Sequence, residues 1–304
     1  MDAAADPIAR IRTIPDPREP VPLLARPTVW LFAFGMALWF GSTALALTGA
    51  WPLLLSIPCN AVACFVLFTV SHEASHSTIS TRPGVNLWFG RLSTLLFAPH
   101  ASFSAWRFIH MQHHRFTNHT DGNDPDHYTN GGPALLRPLR WITVDLQYVP
   151  FYLKRIRSRP QSERDELFVT LSLLIAAGVG IVAAGYGVEL LLLYFVPIRL
   201  SILLLGWAFD YLPHHELTAT PEQDRYRATR NRIGLERLIT PLLLYQNYHL
   251  VHHLHPVVPF YRYIAVWRRN EDEYLAHDPA LSDVRGRPLT ADEYRRLREL
   301  QHEH

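Results

Sequence analysis

Four long apolar stretches constrain this chain more than any other feature of its sequence. A helix needs about 20 residues to cross the hydrocarbon core of a bilayer. We place the four stretches at about 28–50, 51–70, 167–187 and 190–209, and none has more than one charged side chain near its middle. The sequence therefore predicts an integral, multi-pass membrane protein with four spanning helices, arranged as two hairpins with very short tips.

The basic residues predict which side of the membrane each polar segment occupies. Positively charged loops stay in the cytoplasm. Four of the 29 basic residues precede the first stretch, eleven lie between the second and third, thirteen follow the fourth, and neither hairpin tip has one. We therefore expect both termini and the polar segments 71–166 and 210–304 to be cytoplasmic. The remaining basic residue, Arg199, lies inside the fourth stretch, where it would pair with Glu189, reach lipid head groups or contact a polar substrate group.

Composition and charge exclude several other classes of protein. The net charge is only +2 and no dense basic stripe is present, which argues against a nucleic-acid partner. Two cysteines, Cys59 and Cys64, are too few for a disulfide scaffold or a four-cysteine iron–sulfur centre. The expected fold is all-α, a single domain over 1–304 in which a four-helix membrane bundle has a cytoplasmic helical cap. The sequence Thr290–Glu293 matches a capping box that opens a final helix.

Histidine is the unusual residue of this chain. There are 17 histidines, and eight of them fall in three short motifs, HEASH at 72–76, HMQHH at 110–114 and HLVHH at 249–253. Positions i, i+3 and i+4 share one face of a helix, so each motif directs two or three imidazoles to one point. Eight imidazoles exceed the four ligands of one zinc ion and suit two ions of iron, zinc or copper. The candidate ligands are His72, His76, His110, His113, His114, His249, His252 and His253.

The predicted topology brings the three motifs to one side of the membrane. An even number of crossings separates the second motif from the third, so all three face the cytoplasm, where an active site can form. His214 follows the fourth stretch and is a ninth candidate ligand, and Asp210 is a candidate ligand or orienting group. Metal-bound histidines usually donate their second N–H to a carboxylate or carbonyl. Glu73, Asp124 and Asp126 are the candidates for that orienting role.

The order and spacing of these motifs resemble the membrane fatty acid desaturase and hydroxylase superfamily. The resemblance implies a non-haem di-iron site held by histidines, and O₂-dependent attack on an unactivated C–H bond. The longer strings HMQHHRFTNHTDGNDPDHY, GGP, FDYLPHH and QNYHLVHHLHPVVPFYRY are similar to the cyanobacterial-type β-carotene ring hydroxylases, over about residues 71–263. This narrower resemblance implies 3-hydroxylation of the ring of β-carotene or a related carotenoid.

The resemblance also implies two Fe²⁺ ions, O₂ as a co-substrate and an external source of electrons. The chain has no GxGxxG motif between a strand and a helix, so a nicotinamide domain is not expected. Its two cysteines cannot hold an iron–sulfur cluster alone. We therefore expect a ferredoxin or a similar carrier as a partner, beside the membrane and a lipid or carotenoid substrate.

Two alternatives stay open at this stage. An acyl-lipid or fatty acid desaturase would have the same iron site and a different substrate cavity. The motif from His72 to His76 is also HExxH, in which two zinc ligands flank a catalytic Glu. An intramembrane zinc metalloprotease would use these residues with Asp210 as a third ligand, and it would leave the other six clustered histidines unexplained.

Overall fold

The structure, a computed structural model, describes residues 14–302, with side chains described up to residue 299. The first 13 residues, which carry two of the basic residues expected in the cytoplasm, lie outside the described part. The chain divides into two compact units. One, the long-helix unit, comprises Pro22–Gln112 and Gly131–Trp207. The other, the short-helix unit, comprises His113–Asn130, Ala208–His304 and Met1–Val21, each as far as it is described.

Most of the described chain is helical, as predicted. The helices are α1 (Arg26–Leu47), α2 (Leu53–Ser75), α3 (Pro83–Phe97), α4 (Phe103–Phe116), α5 (Arg137–Ile142), α6 (Val144–Leu153), α7 (Gln161–Ala183), α8 (Gly187–His214), α9 (Glu236–Leu242), α10 (His249–Leu254), α11 (Tyr263–Arg269), α12 (Glu271–Leu275) and α13 (Ala291–His302). Short 3₁₀ turns lie at Asp126–Asn130, Ala134–Leu136, Ile156–Ser158, Gln246–Tyr248 and Phe260–Arg262. Two strands, β1 (Asn231–Ile233) and β2 (Leu281–Asp283), were not predicted.

Each of the four predicted stretches forms a helix long and apolar enough to cross a membrane: α1, α2, α7 and α8. The turn between α1 and α2 is short, at 48–52, and so is the turn between α7 and α8, at 184–186. The predicted bounds differ from the observed ones at several ends. Helix α1 stops at Leu47, shortly before Gly49 adopts a positive φ of 71°. Helix α2 continues beyond residue 70 to Ser75, so His72 belongs to the helix and does not follow it.

The outer surface of these helices is apolar. None of the most hydrophobic window of α7 is buried, and only 11% of that of α1. The exposed fraction is 74% for Trp30 and 73% for Phe168. Contiguous apolar surface of this kind marks contact with a membrane or another protein. The helices are therefore those of a membrane protein.

A buried asparagine links three of the apolar helices. Asn60 of α2 accepts a hydrogen bond from Ser42 and donates to Thr43 Oγ1 at 3.0 Å, and both residues belong to α1. Its amide also donates to the carbonyl of Leu193 in α8 at 2.8 Å. That carbonyl lies four residues before Pro197, which has no N–H to donate to it. Asn60 thus satisfies a backbone group that the proline leaves unpaired, as apolar surroundings require.

Helix α8 contains two widened, π-helical turns, at Leu191–Phe195 and Gly206–Tyr211. Each precedes a proline, Pro197 or Pro213. Wide turns of this kind are local adjustments of the helical hydrogen-bond pattern and are frequent at functional sites. Helical backbone continues through Pro213 to His214.

Arg199 has a partner that the sequence did not indicate. Its guanidinium forms an ion pair with Asp145 of α6, and it also donates to the carbonyl of Ile142 at 3.1 Å. Glu189, the carboxylate considered above, is not among its partners. A charge at this depth of an apolar helix is costly unless it is paired. The pair therefore fixes α6 against α8.

Close packing of α5 against α8 depends on Gly206. A Cβ atom at this position would lie 2.8 Å from the carbonyl oxygen and 2.9 Å from the Cα atom of Trp141. Both are backbone atoms, so the clash cannot be relieved by rotating a side chain. The approach of α5 thus requires glycine at position 206.

We expect Gly206→Ala to lower the stability of the protein by about 1–3 kcal/mol, the usual cost of overpacking. The matched control is Gly180→Ala in α7, where a Cβ atom would meet nothing within 4 Å. That change should be neutral or stabilising, because alanine favours helix by roughly 0.5–1 kcal/mol over glycine. Thermal unfolding in detergent, followed by tryptophan fluorescence, measures both. Equal melting temperatures for the two variants would contradict this account.

The short-helix unit places the third histidine motif. Strands β1 and β2 pair in parallel, with Asn231 opposite Leu281. The buried Asn231 side chain accepts a hydrogen bond from the N–H of Leu250 at 3.0 Å, which fixes the start of α10. The predicted capping box is confirmed, since the N–H of Thr290 donates to Glu293 at 2.9 Å and that of Glu293 donates to the Thr290 hydroxyl at 3.2 Å. Helix α10 is thus held on a small buried framework.

Candidate metal centre

Three motif histidines converge within the long-helix unit. His72 and His76 lie one helical turn apart at the end of α2, and His110 lies on α4. The Nε2 atoms of His76 and His110 are 2.8 Å apart, and the rings of His72 and His110 are 4.6 Å apart between centroids. One ring nitrogen from each of the three lies within 4.8 Å of the others. The unit therefore presents three imidazoles to one point.

Aromatic side chains hold these imidazoles in place. Trp106, one turn before His110 on α4, stacks on its ring at 5.3 Å with an interplanar angle of 3°. Phe68 stacks on His72 in the same way at 6.1 Å. Burial, with the neighbouring His72 and Arg107, holds the pKa of His76 well below its ordinary value. His76 is therefore neutral, the form that binds a metal ion.

Four further histidines converge within the short-helix unit. One ring nitrogen from each lies within 4.8 Å of the others, and they come from α4, α8 and α10: His113, His214, His249 and His253. His214 is central, with its ring 4.8 Å from that of His113 and 5.1 Å from that of His249. The Nε2 atoms of His249 and His253 are 3.1 Å apart. The group combines residues separated by up to 140 positions in the sequence.

Hydrogen bonds fix the orientation of two of these rings. His113 Nδ1 lies 2.9 Å from Asp124 Oδ1 and 3.3 Å from Asp126 Oδ2. His249 Nδ1 lies 2.7 Å from Gln246 Oε1. Carboxylate and amide oxygens accept hydrogen bonds, so in both rings Nδ1 carries a proton and Nε2 is the nitrogen that a metal ion would bind. This is the arrangement of metal-binding histidines.

The electrostatics of this group differ from one ring to the next. Burial lowers the pKa of His113, but Asp126 and Asp124, with a contribution from Asp210, outweigh it and raise this pKa to about 9. The pKa of His253 lies well below its ordinary value because of burial and the neighbouring imidazoles. The neighbouring carboxylates thus favour a second proton on His113 at neutral pH. A metal ion that binds there replaces this proton.

The remaining two motif histidines form a pair in the short-helix unit. The Nε2 atoms of His114 and His252 are 2.9 Å apart. The hydroxyl of Tyr263 lies 2.9 Å from His252 Nδ1. The ring of His114 also stacks on His253 at 4.2 Å. This pair therefore adjoins the four-histidine group of the same unit.

The donor atoms fit a metal ion. Ligands at right angles around an ion about 2.1 Å away are about 3.0 Å apart, and the facing Nε2 pairs here are separated by 2.8, 2.9 and 3.1 Å. His214 is buried, and although the backbone of Ala228 contacts its ring, at least one ring nitrogen has no hydrogen-bond partner among the described residues. An unsatisfied buried polar atom is costly. Nitrogen-only donor sets accept iron.

All nine predicted ligands thus lie in these histidine groups, and the predicted orienting carboxylates take different positions. Asp124 and Asp126 contact His113, and Asp210 contributes to the raised pKa of His113. Glu73 is buried, accepts a hydrogen bond from the Thr78 hydroxyl at 2.7 Å, and lies 3.8 Å from His72 Nδ1, beyond hydrogen-bond distance. The ligand and orienting roles of all these residues stay predictions.

Sequence reasoning missed three residues that position the imidazoles. Gln246 precedes His249 by three residues, and Trp106 precedes His110 by four, so helical periodicity alone would have placed each beside its histidine. Tyr263 reaches His252 from another helix, eleven positions along the chain. No spacing rule would have found it.

We expect Asp124→Asn to weaken metal binding by about 10–100-fold, the usual effect of removing a partner of a metal-ligating histidine. The control is Asp121→Asn in the same loop, since Asp121 is exposed and does not contact the clustered histidines. Iron per chain after dialysis against graded chelator measures the difference, with the melting temperature as a check on folding. Equal iron retention in the two variants would refute the orienting role.

Comparison with known proteins identifies the family. The sequence model of the fatty acid desaturase family matches residues 48–285, which include all three histidine motifs. Dihydrorhizobitoxine desaturase of Bradyrhizobium elkanii is 28% identical, over 64% of this chain and 61% of that protein. A β-carotene ketolase of Paracoccus sp. (strain N81106 / MBIC 01143) is 29% identical, over 77% of this chain and 85% of the ketolase. The ferredoxin-type sn-2 acyl-lipid omega-3 desaturase of Arabidopsis thaliana is 25% identical, over 66% of this chain and 51% of that enzyme.

The chain therefore spans less than two thirds of the length of the two desaturases and most of the length of the ketolase. These matches confirm the predicted superfamily and enzyme class. They do not specify the hydroxylase type, which stays a prediction. The match over most of the chain, with the histidine groups inside it, shows that this protein belongs to the fatty acid desaturase family and is an oxidoreductase.

Proposed function

We propose that this protein is an O₂-dependent di-iron oxygenase that hydroxylates an apolar lipid, the ring of β-carotene or a related carotenoid, at position 3. The observation that carries the proposal is the grouping of nine histidines with facing Nε2 atoms. The β-carotene ketolase relative supports a carotenoid substrate, and its match to this chain covers 85% of the ketolase.

We assign the histidines to two Fe²⁺ ions. One ion would take the four-histidine group of His113, His214, His249 and His253. The other would take the long-helix group of His72, His76 and His110, and His114 and His252 are the two remaining proposed ligands. His114 lies one turn after His110 on α4, so the two share one face of that helix.

Iron in this site would supply the redox chemistry that activates O₂ against a C–H bond. The protein's own part is to hold neutral imidazoles in fixed directions. Asp124 and Gln246 accept hydrogen bonds from Nδ1 of His113 and His249, and Tyr263 contacts His252. Burial of these rings keeps water away from the centre. No side-chain nucleophile is required, and the proposal includes none.

In this proposal α1, α2, α7 and α8 form a four-helix membrane bundle, and the remaining helices form a cytoplasmic cap that contains the iron site. The apolar surfaces and the distribution of basic residues support it. Electrons would come from a ferredoxin or a similar carrier. The plant relative named as ferredoxin-dependent supports that partner.

Expression in a β-carotene-producing host with a ferredoxin system tests the activity. We expect mono- and dihydroxylated carotenoids in extracts analysed by mass spectrometry. His252→Ala should abolish them, since it removes a proposed ligand. His119→Ala is the matched control, because His119 pairs with Glu222 outside the histidine groups and should leave the products unchanged.

Other products would change the conclusion. A keto carotenoid would replace 3-hydroxylation with the activity named for the Paracoccus relative. Unchanged carotenoids with newly unsaturated acyl chains would establish the desaturase alternative, which the plant and Bradyrhizobium relatives favour. Zinc in place of iron in the purified protein would bring the HExxH metalloprotease hypothesis forward.

Single cysteines test the proposed topology. The exposed residues Ala50 and Ala184 lie in the two short turns, while Arg157 and Arg227 lie in the polar segments. With a membrane-impermeant maleimide on intact cells, Ala50→Cys and Ala184→Cys should be labelled, and Arg157→Cys and Arg227→Cys only after lysis. The wild type is the control for the two native cysteines of α2. The reverse labelling pattern would invert the orientation.

A further inference from the structure

The long-helix unit contains an open cavity of about 850 Å³ with an almost entirely hydrocarbon wall. Its lining includes Trp39 of α1, Leu174 and Val182 of α7, and Tyr194 of α8. Small-molecule sites have volumes of about 300–1,000 Å³, so this cavity is large enough for an extended lipid. Its wall consists largely of helices that the proposal places in the membrane. A ligand would therefore reach it from the bilayer.

Two ionisable side chains line this cavity, Tyr194 and His100. The Tyr194 hydroxyl already donates to the carbonyl of Leu95, so His100 is the ionisable group left for a ligand. It also lines a second, smaller cavity of about 80 Å³, together with Trp106 and Ile109 of α4. Trp106 stacks on the ring of His110, a proposed iron ligand. His100 therefore lies where the hydrocarbon cavity approaches the metal-binding part of the long-helix unit.

The polar groups of His100 are free for a ligand. Its Nδ1 lies 3.6 Å from Asp145 Oδ2, an ionic contact beyond hydrogen-bond distance, and Asp145 is itself paired with Arg199. Among the described residues His100 makes no hydrogen bond, although its side chain is only 21% exposed. Burial, which outweighs Asp145, lowers the pKa of His100, and Arg199 acts in the same direction. The ring is thus neutral and offers one N–H donor and one acceptor nitrogen.

We propose that the large cavity binds the substrate, and that His100 selects an elongated hydrocarbon that carries an oxygen function by hydrogen bonding to that oxygen. Oxygenated carotenoids and esters of long acyl chains both have this chemistry, whereas β-carotene itself is a pure hydrocarbon. The inference rests on the proposed function and deepens it, because it names the chemical class that the same site prefers. His100 acts here as a specificity residue and takes no part in the proposed iron chemistry.

Binding of two rod-shaped polyene probes tests this inference. The full-length, iron-loaded protein is placed in lipid nanodiscs without an electron donor, so that no turnover occurs. The probes are parinaric acid methyl ester, which has an ester oxygen, and diphenylhexatriene, which has no oxygen. Energy transfer from Trp39, which lines the cavity, reports occupancy. Subtracting the transfer seen in Trp39→Phe removes the signal of the other tryptophans.

We expect the wild type to bind the ester more tightly than the hydrocarbon. His100→Phe should reduce this preference about 2- to 12-fold, which corresponds to one hydrogen bond worth about 0.5–1.5 kcal/mol. His100→Gln, which keeps a donor, should restore part of it. His119→Phe is the matched control and should change nothing, since His119 lies outside both cavities. Iron content should be equal in all variants.

Three results would overturn the inference. If His100→Phe weakens the binding of both probes equally, His100 only shapes the cavity. An absent preference for the ester in the wild type would remove the proposed selection. No transfer from Trp39 to either probe would show that the cavity holds bilayer lipid only. A preserved preference without any product in the carotenoid host would instead reject the proposed 3-hydroxylation and leave the inference intact.

Mono-oxygenated carotenoids and long-chain acyl esters are then compared as competitors of the ester probe. Stronger displacement by the carotenoids identifies them as the source of the oxygen function, and stronger displacement by the acyl esters identifies lipids. Displacement by β-carotene as strong as by its oxygenated derivatives would again contradict selection by His100.

Discussion

The interaction on which the site depends is the approach of imidazole nitrogens to one another inside the protein. Facing Nε2 atoms are 2.8 Å apart at His76 and His110, and 2.9 Å apart at His114 and His252. Two lone pairs at this distance repel each other unless a proton or a metal ion lies between them. The N–H of one neutral ring can lie between a single pair, but burial disfavours any further proton, because a charged imidazolium loses its hydration. A metal ion satisfies several rings at once, so the folded site favours metal binding.

Rigid helices make this close approach possible. Helix α4 carries His110, His113 and His114 at positions i, i+3 and i+4, and its backbone fixes their directions. The loop after α4 returns Asp124 to His113, and the 3₁₀ turn before α10 places Gln246 against His249. Both contacts join residues that lie close in sequence. Much of the orientation of the site is therefore encoded locally.

This local encoding explains what the sequence predicted and what it did not. The spanning helices, the histidine groups and the capping box of α13 follow from periodicity and spacing, which need no knowledge of distant contacts. The partner of Arg199 is Asp145, 54 residues away, and β1 pairs with β2 across about 50 residues. The end of α2 was misplaced because polar residues of the histidine motif continue the helix inside the fold, where neighbouring helices bury them. Such contacts depend on tertiary packing and leave no periodic pattern.

The same distinction bears on the substrate. The relatives of this chain are named for β-carotene and for acyl lipids alike, so membership of the family leaves the substrate open. Selection must therefore come from the walls of the cavity, and in the long-helix unit these walls are hydrocarbon except at His100, the Trp39 indole and the Tyr194 hydroxyl, which is already bonded to the Leu95 carbonyl. In apolar surroundings a single hydrogen bond discriminates more strongly than added hydrocarbon contact, because an unpaired polar group is left behind when it is missing. One side chain at the end of the cavity is thus sufficient to distinguish an oxygenated lipid from a pure hydrocarbon of the same shape.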